Sequence, residues 1–142
     1  MKREEALKNA HMFAELKPSD LKHLAKLMAE TQFAAGSVVI KEGDQTAGFF
    51  VVSSGKLEAL HGGSAGHDQP LATYGPGDFF GEMALFEDSP RSATVRATED
   101  SECLVMTRSD FMAELKNHPQ IAVGMLPAIV RRLREADIRI AE

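Results

Sequence analysis

Short apolar runs recur at regular intervals between residues 32 and 107, and this pattern restricts the fold more than any other feature of the sequence. The runs are rich in valine, isoleucine and phenylalanine, and glycine-containing turns separate them. Strands of this length and spacing predict an antiparallel β-sandwich or barrel. The predicted strands are 37–40, 49–53, 56–60, 71–74, 91–97 and 103–107.

Helical patterns flank the strands on both sides. Apolar residues at helical spacing predict one helix over residues 2–16 and a second over 18–30, which Pro18 begins. After the last strand, we expect Ser109 to cap a helix that runs through Leu115. With 142 residues, the chain has the length of one domain.

A last helix is predicted from Ile121 onward. Pro127 lies inside it, and a proline in a helix interior costs about 3 kcal/mol, so we expect a kink there or a helix that begins near Ala128. Three uses of its apolar stripe remain open: packing on the β core, a lid over a ligand, or the seam of a homodimer. The stripe consists of Leu126, Ile129, Leu133, Ala136 and Ile140.

Charge and composition exclude several classes of protein. A net charge of −5 argues against nucleic-acid binding, because no basic face is implied. The single cysteine, Cys103, has no internal disulfide partner, and its apolar neighbours predict a buried position. We find neither a signal peptide nor an apolar run of membrane-spanning length, so we expect a cytoplasmic protein without direct membrane contact.

Residues 80–97, FGEMALFEDSPRSATVRA, have the composition of an anion site. Gly81 permits a tight turn and close approach of a ligand to the backbone. If residues 82–86 form one helical turn, their N–H groups face the same point, which suits a phosphate. Glu82 adds an acceptor and Arg91 a bidentate donor for an anion. Ser92 can donate a hydrogen bond, and Ala93 leaves the backbone accessible.

These residues resemble the motif of the cyclic nucleotide-binding domain family, which includes the bacterial catabolite activator and the regulatory subunits of cAMP-dependent kinase. The match consists of FGE, the small Ala84, Leu85 and then RSATV. A weaker match spans residues 39–55, with Gly43 and Gly55 around four apolar residues. The resemblance implies an antiparallel β-roll, which is a jelly-roll-like double-stranded β-helix, between N-terminal and C-terminal α-helices. It divides a single domain, 1–142, into helices at 1–30, a β-roll at 31–107 and helices at 108–142.

The resemblance also implies residue roles. Glu82 would bind the ribose 2′-hydroxyl and Arg91 the cyclic phosphate, with Ser92 and backbone N–H groups near Gly81 and Ala84 completing the phosphate site. Arg132 would meet the purine from the last helix. Strand residues Leu71, Ala72 and Ala59 would flank the base. The full predicted set is Phe80, Gly81, Glu82, Met83, Ala84, Arg91, Ser92, Ala93, Arg132, Leu71, Ala72 and Ala59.

The function implied is a regulatory module that binds cAMP, with cGMP left open because Ser92 could reach a guanine amino group. Ligand binding would move the C-terminal helices and so control a partner protein or fused domain whose identity the sequence does not give. No catalytic residue or cofactor is predicted. Since the chain ends at Glu142 without a helix-turn-helix, we expect no direct reading of DNA.

Other interpretations of the same residues were weighed. Glu82 and Arg91 taken singly fit a surface ion pair, and Arg132 fits a solvated basic face beside Arg131 and Arg134. A degenerate domain used for protein contacts and a cupin-type metal enzyme are the alternative functions. The histidines are scattered in sequence, so we expect no metal site. They are His11, His23, His61, His67 and His118.

Overall fold

Two antiparallel four-stranded sheets form the centre of the molecule in a computed structural model that describes residues 2–44, 48–61, 70–87, 90–91 and 93–141. One sheet has the strand order β1-β8-β3-β6 and the other β2-β7-β4-β5. The strands are β1 Ala29–Phe33, β2 Val38–Ile40, β3 Gly48–Ser54, β4 Leu57–Leu60, β5 Ala72–Tyr74, β6 Phe79–Phe80, β7 Thr94–Ala97 and β8 Ser101–Thr107.

Four α-helices and one 3₁₀ turn accompany the strands in the described residues. The helices are α1 Arg3–Lys8, α2 Pro18–Ala25, α3 Arg108–Asn117 and α4 Pro119–Ala141, and the 3₁₀ turn is Glu82–Leu85. This arrangement confirms the predicted fold class, an antiparallel β-roll between N-terminal and C-terminal helices. None of the helices in the described part of the chain combines the length and apolarity needed to cross a membrane.

Strand β3 separates two hydrophobic cores, because successive side chains of a strand point to opposite faces. Phe49 and Val51 pack with the helices, in a core that includes Phe13 and Phe111. On the other face, Phe50 and Val52 pack between the two sheets with residues such as Leu57 and Val95. The apolar run of β3 is therefore buried on both faces.

The N-terminal helices are shorter than predicted. Helix α1 ends at Lys8, and residues 9–16 form turns. In these turns the backbone N–H of Phe13 donates to the carbonyl of Ala10, and the backbone N–H of Leu16 donates to the carbonyl of Phe13. Turns with hydrogen bonds between residues three apart place Ala10, Phe13 and Leu16 in the core, where all three are buried. The expectation of one helix over 2–16 is therefore wrong. The second helix, predicted over 18–30, is also shorter: α2 ends at Ala25, and the strand β1 begins at Ala29.

One local prediction for the C-terminal helices is also wrong, and one of the two alternatives predicted for the last helix is excluded. The N-terminal cap of α3 is Thr107 rather than Ser109, and its side-chain oxygen accepts from the N–H of Asp110 at 3.1 Å. Helix α4 begins at Pro119 and continues through Pro127, so it does not begin near Ala128. The alternative, a kink at Pro127, stays a prediction. Because Pro127 is exposed, water can bond the carbonyl that lacks its helical partner.

Each predicted apolar run contains a strand, with bounds that differ by up to three residues. The sequence analysis missed two strands, β1 and β6. Strand β1 reads AETQF and is mostly polar, and β6 has two residues. Both lie at the edges of their sheet, where they pair with one neighbour and need little apolar surface.

Candidate functional site

A cavity of about 230 Å³ opens between the second sheet and the 3₁₀ turn. Its walls come from strands β2, β4, β5, β6 and β7 and from the turn itself. Glu82 and Arg91 are its charged lining residues, and most of the others are apolar. The lining residues are Ile40, Ala59, Tyr74, Phe80, Gly81, Glu82, Met83, Ala84, Arg91, Ala93 and Val95.

Gly81 sets the position of the turn that carries Glu82. Its φ of +84° lies in the left-handed region, and a Cβ there would come within 2.4 Å of the Gly48 carbonyl oxygen. The chain can therefore turn beside β3 only if this residue is glycine. The helical turn predicted from Glu82 follows directly as Glu82–Leu85, and the N–H of Ala84 closes it by donating to the Gly81 carbonyl at 3.1 Å.

Arg91 is held in place by its backbone and its side chain. The backbone N–H of Arg91 donates to the Asp44 carbonyl at 2.9 Å, and the backbone carbonyl of Arg91 accepts from the N–H of Gly43 at 2.8 Å. The guanidinium Nη2 donates to the Gly48 carbonyl at 2.8 Å. Burial lowers the pKa of Arg91 from its ordinary value, because desolvation penalises the charged form. The cavity thus contains a partly desolvated cation that an anion would stabilise.

Glu82 lines the same cavity with little exposure. Its side chain is 12% exposed, and its Oε1 lies 3.0 Å from Nη1 of Arg132 on α4. The guanidinium of Arg132 is more accessible, with a side chain that is 41% exposed. This ion pair links the 3₁₀ turn to the C-terminal helix, which the sequence does not indicate.

Aromatic rings form the apolar wall. Phe80 stacks on Phe50 with ring centroids 4.8 Å apart and planes 5° apart, and the ring of Tyr74 lies 4.8 Å from that of Phe80 with a tilt of 32°. Burial raises the pKa of Tyr74, and the negative charges of Glu82 and Asp78 raise it further. The phenol therefore stays neutral and can donate a hydrogen bond near the carboxylate.

Eight of the twelve predicted site residues line the cavity: Ala59, Phe80, Gly81, Glu82, Met83, Ala84, Arg91 and Ala93. Arg132 is not part of the lining but reaches Glu82. Leu71 is 56% exposed, and neither it nor Ala72 lines the cavity. Ser92 lies outside the described residues, so its predicted role rests on the sequence alone.

Three lining residues were missed by the sequence analysis: Ile40, Tyr74 and Val95. Each lies on a strand that the sequence did predict. Alternation along the predicted strand 91–97 offered a signal for Val95, since Ala93 and Val95 are two residues apart and both line the cavity. Which face of a strand lines a cavity depends on how the two sheets pack, and the sequence of a single strand does not reveal that packing.

The exposed side of α4 corrects one interpretation of its apolar stripe. Leu126 and Leu133 are 53% and 60% exposed, so core packing is wrong for both. Ile129 of the stripe does pack against the core, and Ile121, Met125 and Ala128 are buried. On the opposite side of the helix, Val123, Leu126, Val130 and Leu133 form an exposed stripe.

Comparisons with known proteins agree with this arrangement. The family model described as the cyclic nucleotide-binding domain matches residues 30–118. The cyclic AMP receptor protein of Thermus thermophilus is 31% identical over 134 residues, which cover 94% of this chain and 62% of that protein. This chain therefore spans about three fifths of the length of that relative.

Two solved structures have the same fold. The N-terminal domain of a transcriptional regulator from Streptomyces coelicolor has a TM-score of 0.84 and 30% identity, with 95% of this chain and 94% of that chain covered. The regulatory domain of Toxoplasma gondii PKA, crystallised with cAMP, has a TM-score of 0.71 and 31% identity. That match covers 82% of this chain and 44% of the other.

Proposed function

Because this chain belongs to the cyclic nucleotide-binding domain family, we propose that its cavity binds cAMP and that binding changes the position of helix α4. The observation that carries the proposal is the meeting of Gly81, Glu82 and Arg91 in one cavity whose remaining lining is mostly apolar. Cyclic nucleotides combine an anion, a sugar hydroxyl and a flat base, and the cavity offers a group suited to each.

In this proposal the cyclic phosphate lies against Arg91. A guanidinium forms two parallel charge-assisted hydrogen bonds to phosphate oxygens, and it is already partly desolvated here. Ser92 adds a hydroxyl donor, as predicted from the sequence. The N–H of Ala84 is engaged with the Gly81 carbonyl, so it contributes by sharing its hydrogen or by a small shift of the turn.

The ribose lies beside Glu82 in the same proposal. A carboxylate accepts a hydrogen bond from the 2′-hydroxyl, and little water competes because the side chain is 12% exposed. The base then extends toward the apolar wall that contains Tyr74 and Phe80. The sequence-based contact between Arg132 and the purine, and the preference for cAMP over cGMP, remain parts of the proposal.

Coupling to α4 follows from the ion pair between Glu82 and Arg132. A ribose hydroxyl that bonds to Glu82 changes the electrostatic environment of Arg132, which must share the carboxylate or turn toward the base. A ligand can shift the helix only through such a difference between two states. The exposed stripe on α4 is the surface we propose for a homodimer seam, and the effector is a partner or a fused domain.

Calorimetric titration with cAMP, cGMP and 5′-AMP tests the proposal. We expect saturable binding of cAMP, weaker binding of cGMP, and about 100-fold weaker binding of cAMP by Arg91→Ala, since a charge-assisted contact contributes about 3 kcal/mol. Arg96→Ala is the matched control, because Arg96 pairs with Glu58 at 2.9 Å and does not line the cavity. Absence of heat at sub-millimolar cAMP would refute cyclic nucleotide binding.

A further inference from the structure

Two histidines that are distant in sequence meet where α2 packs against the boundary between α3 and α4. The ring of His23, in the last turn of α2, stacks on that of His118 with centroids 4.0 Å apart. His118 is the C-terminal cap of α3, and its backbone N–H donates to the backbone carbonyl of Glu114 at 2.8 Å. Glu114 precedes it by one helical turn, which brings its carboxylate to the same side. We call these three residues the histidine–glutamate cluster.

The distances within the cluster approach those of a metal site. Oε1 of Glu114 lies 3.4 Å from Nδ1 of His23 and 3.7 Å from Nε2 of His118. The three potential ligand atoms all lie within 4.8 Å of one another. A tetrahedral ion with bonds of about 2.0–2.1 Å separates its ligand atoms by about 3.3 Å. The two ring planes are only 25° apart, and an imidazole ligates through a lone pair in its own plane, so at least one ring must rotate out of the stack before both nitrogens can point at one ion.

The ligand types select among cations. Two imidazole nitrogens and one carboxylate oxygen suit Zn²⁺ and related transition metals, whereas Mg²⁺ and Ca²⁺ prefer oxygen ligands alone. The three side chains are between 18% and 37% exposed, so an ion can enter and keep water at a fourth position. Within the described residues, no other group of three metal-binding side chains lies this close together.

We propose that the histidine–glutamate cluster binds a divalent transition metal ion such as Zn²⁺. The site lies outside the nucleotide cavity and does not depend on the proposed function. It revises the expectation from sequence that this chain has no metal site. Bound metal would join α2 to the residue immediately before Pro119, where α4 begins. The neighbouring link between α2 and α4, from Gln120 to Asp20, is a long hydrogen bond of 3.5 Å.

The test is calorimetric titration of the tag-free chain with Zn²⁺ and, separately, with Mg²⁺ in a non-chelating buffer. We expect one Zn²⁺ per chain and no saturable binding of Mg²⁺. His23→Ala, His118→Ala and Glu114→Gln should each weaken Zn²⁺ binding about tenfold or more, because each removes a ligand. Zn²⁺ should also raise the melting temperature of the wild-type chain, and this rise should be absent in the double variant His23→Ala/His118→Ala.

His61→Ala is the matched control. Its imidazole lies 3.1 Å from the Glu42 carboxylate, but this pair belongs to no three-ligand group within the described part of the chain. The proposal is overturned if the wild type shows no saturable Zn²⁺ binding. It is also overturned if the double variant binds Zn²⁺ as tightly as the wild type, or if His61→Ala alone abolishes binding. Melting curves without metal verify that each variant folds, and Glu114→Gln keeps the shape of the side chain.

Discussion

The carboxylate of Glu82 and the guanidinium of Arg132 lie 3.0 Å apart, in a contact that joins the wall of the cavity to the C-terminal helix. The adjacent arginine, Arg131, forms a second pair with Glu15 in the turns that follow α1. Helix α4 is thus attached to two different parts of the molecule by neighbouring residues. Only the contact with Glu82 would respond directly to a ligand in the cavity.

Arg132→Ala should uncouple α4 from the ligand. In the wild type, cAMP should change hydrogen–deuterium exchange in both the 3₁₀ turn and α4, because the ligand shares Glu82. In Arg132→Ala the change in α4 should be lost while that in the turn remains. Arg131→Ala is the control, because its partner Glu15 lies outside the cavity. An undiminished response of α4 in Arg132→Ala would contradict this coupling.

Glu82→Gln should weaken cAMP binding about tenfold, because a neutral amide is a weaker acceptor for the ribose hydroxyl than a carboxylate. A thermodynamic cycle that combines Glu82→Gln with the ligand 2′-deoxy-cAMP isolates the contact between Glu82 and the ribose 2′-hydroxyl. The wild type should bind the deoxy ligand more weakly than cAMP, and Glu82→Gln should discriminate much less between the two. Equal discrimination by both proteins, measured by calorimetry, would show that Glu82 does not contact this hydroxyl.

Gly81→Ala should destabilise the protein more than Gly36→Ala. Both glycines have positive φ, +84° and +86°, so both substitutions carry the backbone strain of about 1–2 kcal/mol. A Cβ at Gly81 also meets the Gly48 carbonyl at 2.4 Å, whereas one at Gly36 meets nothing within 4 Å. Urea unfolding of the two variants measures the difference. Equal losses of unfolding free energy would mean that the turn relaxes without cost.

Cys103 should be unreactive toward thiol reagents in the folded protein. Burial, and secondarily the charge of Glu102, raises the pKa of the Cys103 thiol from 9.0 to about 11, so only about one molecule in a thousand carries the thiolate at pH 8. Labelling with a chromogenic disulfide should be slow in buffer and fast in denaturant. Because the unfolded chain ionises first, this group lowers the free energy of unfolding as the pH rises from about 9 to about 11.

Leu133→Glu should separate a dimer formed through α4, because desolvating a carboxylate in an apolar seam is unfavourable. Leu133 is 60% exposed in the single chain, so the substitution should not disturb the core. Val38→Glu, at a residue 55% exposed on β2, is the matched control. Sedimentation velocity distinguishes the two states, and a wild type that is monomeric at all concentrations would exclude this seam.

Much of the site was accessible from the sequence because its residues are local. The residues that predict an anion site lie close together in the sequence, between positions 81 and 91. They are Gly81, Glu82, Ala84 and Arg91. The strands were equally visible, since Phe49 and Val51 reveal a buried run. Strand β1 was missed because its residues are mostly polar, and the extent of α1 was overestimated because tertiary burial of Phe13 favours tight turns over a continued helix.

The resemblance to the family implied the β-roll and the roles of Glu82 and Arg91 toward ribose and phosphate. By itself, the sequence pattern determined antiparallel strands between flanking helices, the glycine at the turn, and a charged pair suited to a hydroxyl and an anion. These depend on local backbone preference and on the alternation of apolar residues. The tertiary structure alone decided that Arg132 reaches Glu82, that Tyr74 and Phe80 form one wall, and that His23 meets His118 beside Glu114. Such contacts join distant segments, and their geometry is fixed by how sheets and helices pack, which no short stretch of sequence specifies.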